Sequence, residues 1–148
     1  MPHSTARPRL PQATDPIRSS IDALAVVALA IHRPLEPETI GFFLDETGRS
    51  NTITVVSGTT EPDSVLTVAE CLAVAGGRSP TLCGLVLATV RPNAGLPVPA
   101  TLPGDLDRWM DATEITESHG IELIEWFIVG PAGIDCPREL LGDPERWS

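Results

Sequence analysis

Lysine and tyrosine are absent from this chain of 148 residues, so all ten of its basic residues are arginine. That pattern follows base composition more readily than function, but it removes one kind of site. Gly76-Gly77-Arg78-Ser79 has the glycines of a phosphate-cradling loop without its lysine, and it reads as a helix stop. Cysteine is sparse: Cys71, Cys83 and Cys136 are odd in number and form no C-x-x-C pair, which disfavours a disulfide framework and fits a reduced, cytoplasmic setting. A zinc site built from these cysteines with His3, His32 and His119 would need distant segments to converge without any motif spacing, so neither a metal nor another cofactor is expected. Long apolar runs are missing as well. The longest, Ile21 to Ile31, contains Asp22, is too short to cross a bilayer as a helix, and leads into His32-Arg33-Pro34 rather than a small-residue cleavage site. Neither a membrane span nor secretion is expected.

What is present describes an acidic globular domain. Hydrophobic residues make up 42% of the chain, enough for a core, and a chain of this length buries roughly 70% of its unfolded surface without staples. The formal net charge is −10. Arg7, Arg9, Arg18 and Arg33 precede residue 35 against only Asp15 and Asp22, so the rest of the chain is more acidic still. Such a surface repels phosphate backbones, and nucleic acid is not an expected partner.

Residues 1–16 hold four prolines among small and polar residues and read as a flexible tail, leaving 17–148 as a single domain. From Ile17 to Arg33 the apolar spacing predicts a helix ended by Pro34. Ile40–Leu44 and Ile53–Val56 predict a hairpin across the turn-rich segment 45–51, closed by Ser57-Gly58-Thr59. Thr60 and Asp63 resemble a capping box for a helix that places Val65, Val68, Ala69, Leu72 and Ala73 on one face and stops at Gly76-Gly77. Leu82–Val90 reads as a central strand covered on both faces. Asp105 and Asp107 open a helix that His119-Gly120 ends, and Ile121–Val129 returns as a strand. The fold class is therefore α/β, a mixed sheet flanked by helices.

Several fragments carry a resemblance in their shared order. Glu38-Thr39-Ile40-Gly41-Phe42-Phe43-Leu44-Asp45, Ser57-Gly58-Thr59, Leu85 to Pro92, Asp105, and Ile124-Glu125-Trp126-Phe127-Ile128-Val129-Gly130 are similar to the RadC group of the JAB/MPN metallohydrolase family, over about residues 36–133. The resemblance implies a JAB/MPN-like (cytidine-deaminase-like) fold in which Glu38 is the counterpart of the general base, Asp105 of the third zinc ligand, and Thr101 of the oxyanion-stabilising serine. The departures fall on the chemistry. Where the family has His-x-His-Pro-Ser-Gly this chain reads Thr89, Val90, Arg91, Pro92, Asn93 and Ala94, and Trp126 stands where another histidine is common.

A catalytic zinc needs three protein ligands and an open position, and without the two imidazoles only Asp105 remains. A guanidinium about 4 Å from a dication would cost about 8 kcal/mol at an effective dielectric near 20. Arg91 is therefore expected either to replace the lost metal charge by bonding Glu38 or Asp105, or simply to reach solvent. The expected degenerate cleft is Glu38, Thr89, Arg91, Asn93, Thr101 and Asp105, with Glu38 and Asp105 both facing the loop that carries Arg91. The resemblance then implies a metal-free module that binds a protein partner or another copy of itself. The alternative is a RadC-like zinc-dependent hydrolase of the isopeptidase or peptidase type with unconventional ligands.

Overall fold

A computed structural model describes residues 16–50, 52–92 and 100–147; Asn93 and residues 1–15 of the expected tail lie outside them. The first helix, α1 (Ser20–Ala30), begins three residues later than its apolar pattern predicts. Ile17 is taken up elsewhere, its N–H donating to the Gly48 carbonyl, and the helix is instead nucleated by Ser19, whose Oγ accepts from the Asp22 N–H while the Asp22 carboxylate accepts from the Arg18 N–H. The hairpin follows as β1 (Glu38–Asp45) and β2 (Ile53–Ser57). The expected capping box does not form. Helix α2 (Ser64–Gly76) starts one residue after Asp63, which caps without a side-chain bond, because residues 58–63 are spent on consecutive turns.

Strand β3 (Leu82–Val90), helix α3 (Asp105–Glu117) and strand β4 (Glu122–Gly130) lie where the sequence pattern predicts them. Two short elements were not expected, β5 (Gly133–Asp135) and α4 (Pro137–Leu141), and neither is long enough to show a period. Among the described residues five strands form one mixed sheet in the order β2-β1-β3-β4-β5, with only the β3–β4 pair parallel and four helices flanking it.

Alternation along the strands divides the interior in two. Ile40, Phe42, Val86, Ala88, Val90, Phe127 and Val129 pack with Ala23, Val26 and Val27 of α1 on one face. Leu85, Leu87, Leu123, Trp126 and Ile128 pack with Val65, Val68 and Ala69 of α2 and Trp109 and Ala112 of α3 on the other. Each fully buried Val, Leu, Ile or Phe side chain among these contributes about 1.5–3 kcal/mol of transfer free energy.

Beyond residue 135 the chain straps the open side of β4. Arg138 donates from Nε to buried Glu125 at 2.9 Å, and Arg146 donates from Nη1 to the Leu123 carbonyl at 2.9 Å while its guanidinium lies 4.5 Å from the centre of the Trp109 ring. These arginines cover a strand edge that β5 pairs only over its last three residues. No helix among the described residues is long and apolar enough to cross a membrane.

Candidate functional site

The site lies where β3 ends and α3 begins. The Arg91 N–H donates to the Val129 carbonyl, which carries the β3–β4 pairing one residue past the strand and fixes where the Arg91 side chain starts. Asp105 is the first residue of α3, entered through Gly104 at φ 90°, a left-handed conformation in which an added Cβ would also press on the Arg108 guanidinium. The glycine lets Arg108, one helical turn on, fold back over the helix start.

Asp105 is fully buried and its carboxylate is saturated with donors. Arg91 donates from Nη1 at 2.7 Å and Nη2 at 3.2 Å, Arg108 from Nη1 at 2.9 Å, and Leu102 from its backbone N–H. Burying a lone carboxylate would cost several kcal/mol, and two guanidiniums with a backbone N–H at a helix N-terminus offset that cost. Each arginine has a further anchor: Arg91 donates to the Ala100 carbonyl and sits 5.9 Å from the Trp126 ring centre, while Arg108 donates to the exposed carboxylate of Asp63. The Asp63 and Asp105 bonds hold the Arg108 guanidinium above its ordinary pKa, the Asp63 bond contributing most.

Beside this cluster a row of hydroxyls crosses the sheet. Trp126 Nε1 donates to Thr89 Oγ1 at 2.9 Å, Thr89 and Thr39 oxygens lie 3.5 Å apart, and Thr39 and Thr59 oxygens 2.9 Å apart. Thr89 and Thr39 are register partners on neighbouring strands, so they share the face that also carries Trp126.

Glu38 is elsewhere. It alternates with Ile40 and Phe42, so its buried side chain lies on the α1 face, and the sheet separates it from Asp105 on the α3 face. There it accepts from His32 twice, from Nδ1 at 2.6 Å and from the backbone N–H at 3.0 Å. The hydrogen bond to Glu38, aided by its charge, raises the pKa of the half-exposed His32 imidazole. The expectation that Glu38 and Asp105 would share one cleft is thus replaced by two separate units. Arg91 bonds Asp105 and not Glu38.

Of the other expected site residues, Thr89 belongs to the hydroxyl row and Asn93 lies outside the described residues. Thr101 donates from Oγ1 to Asp135 at 2.7 Å, which ties the α3 approach to β5. Three participants were not foreseen: Arg108, Thr39 and Thr59. Arg108 was legible as an i, i+3 partner of Asp105, and Thr39 as sharing the strand face of Thr89. Among the described residues no three histidine, cysteine, aspartate or glutamate side chains converge as metal ligands would. No protein-family model matches the chain, and neither does any curated protein.

Proposed function

We propose that this chain is a JAB/MPN-like domain without catalytic metal chemistry, acting by binding another protein. The observation that carries this reading is Asp105: the counterpart of the third metal ligand has all its acceptor capacity committed to Arg91, Arg108 and the Leu102 N–H. A cation arriving there would have to displace two guanidiniums, and the general-base counterpart Glu38 is bonded to His32 across the sheet. The order helix, hairpin, helix, strand, helix, strand around a mixed sheet supports the fold assignment, since it is the order in which the resembling fragments occur. With the family's reacting centre closed by ion pairs, the surface around it is left to recognition.

Zinc binding tests the reading directly. Protein purified without chelator and dialysed against zinc is expected to hold no stoichiometric metal and to show no peptidase or isopeptidase activity. One tightly held zinc per chain, lost on replacing Asp105 with alanine, would restore the hydrolase reading.

A further inference from the structure

The end of the hydroxyl row opens into a cavity of about 200 Å3 whose walls include Val90, Ala100 and Leu102 and whose polar lining is Thr59, Thr60 and Arg91. The direction of the row follows from its far end. An indole N–H can only donate, so Thr89 Oγ1 must accept from Trp126. The Thr89 hydroxyl is buried, and among the described residues its only other side-chain neighbour within hydrogen-bond distance is Thr39. An unused buried O–H is costly, which favours donation from Thr89 to Thr39 and from Thr39 to Thr59. The Thr59 proton then remains for an acceptor in the cavity that Thr59 lines.

Arg91 adds donors of the same sense. Its Nη1 hydrogens go to Asp105 and Ala100 and one Nη2 hydrogen to Asp105, leaving Nε–H and the second Nη2 hydrogen without a partner among the described residues. The charges agree with the donors. Arg91 and Arg108 are balanced by Asp105 and Asp63, and of these four groups it is the cation Arg91 that lines the cavity. A net charge of −10 over the chain opposes any anion and a dianion most, so a single negative charge is the better fit.

We propose that this cavity is a binding site for a monocarboxylate on a short aliphatic stem, its oxygens accepting from Thr59, Thr60 and Arg91 and its stem lying on Pro37, Ala100 and Leu102. The cavity is smaller than the ~300–1,000 Å3 of drug-sized sites, so the stem holds only a few carbons. This proposal does not depend on the family assignment or on a protein partner. A free acid and the C-terminal carboxylate of a peptide present the same chemistry.

Titration of the isotope-labelled full chain with sodium butyrate, followed by amide and indole N–H resonances, tests the site. The expected result is saturable movement of the Thr59, Thr60 and Arg91 amides and of the Trp126 indole N–H, with butyramide at least about tenfold weaker because charge-assisted hydrogen bonds are lost. Thr59→Val should weaken butyrate by a similar factor and Thr59→Ser should restore it. If Thr59→Val does not fold, Thr60→Val carries the same test. Acetylated peptides ending in valine, with a free or an amidated C-terminus, separate the sources: a free-ended peptide tighter than butyrate assigns the site to chain ends, and one no tighter assigns it to a free acid. Equal binding of butyrate and butyramide, unsaturable shifts, or undiminished butyrate binding by folded Thr59→Val or Thr60→Val would each overturn the proposal.

Discussion

Arg91 grips Asp105 with both terminal nitrogens, 2.7 Å and 3.2 Å from the two carboxylate oxygens, and Arg108 takes a third position on the same group at 2.9 Å. Because the carboxylate keeps a second guanidinium and a backbone donor, removing either arginine alone leaves it partly compensated. Arg91→Ala is expected to destabilise the fold by about 1–3 kcal/mol in denaturant unfolding. The Arg91→Ala, Arg108→Ala double variant should lose more than the sum of the two, since only then is Asp105 left with the Leu102 N–H alone. Additive losses would mean that the three side chains do not act as one network.

His32 supplies a pH dependence. Its pKa is raised by the bond to Glu38, so the folded state holds the proton more tightly than the unfolded chain, where imidazole titrates near ~6.5. The resulting stability is fully present below that pH and is lost as pH rises through the higher folded-state value. His32→Ala should remove this part of the stability–pH profile while the backbone bond from residue 32 to Glu38 remains. Urea midpoints measured across mildly acidic to mildly alkaline buffers check it, and an unchanged profile in the variant would count against the pairing.

Glu125 and Arg138 form an ion pair almost wholly out of solvent, and burial raises the carboxyl pKa despite the arginine. Breaking such a pair is costly, whereas replacing both members with apolar residues is often neutral. Arg138→Met is expected to cost about 3–5 kcal/mol, and Glu125→Leu combined with Arg138→Met to recover much of it. Thermal unfolding of the single and double variants distinguishes the two cases.

Packing makes its own prediction at the end of α2. A Cβ at Gly76 would fall inside contact distance of three atoms of the Phe43 ring, on a strand face already filled by Leu72 above Gly41. Gly76→Ala should therefore destabilise by about 1–3 kcal/mol through overpacking, although alanine is the better helix former. A stabilised variant would show that Phe43 can turn aside at little cost.

The strands β1, β3 and β4 and the helices α2 and α3 were legible because each is long enough to show its period, and β3 matches its sequence boundaries at both ends. β5 and α4 were not: three and five residues carry no periodic signal, and what holds α4 in place is the Arg138–Glu125 pair, invisible without the third dimension. Arg91 was expected to bond Glu38 or Asp105 in place of the lost metal charge, or to reach solvent, and it bonds Asp105. The placement of Glu38 was readable in principle. Period two puts it with Ile40 and Phe42 and opposite Thr39, whereas the resemblance implies a place beside Asp105. The bond from His32 to Glu38 depends on how the chain turns between α1 and β1, which no local pattern specifies.

The strap that covers β4 ends at Trp147, whose Nε1 donates to the Oγ of Ser20 at 3.2 Å, joining residues 127 positions apart. Trp147 packs on the same core as α1, so the first helix and the last described residues form a clasp. Neither can lift from the sheet without loosening the other. These two segments, near opposite ends of the described residues, should therefore open as one unit, with amide hydrogens in α1 and around Arg146 exchanging with solvent at matched rates.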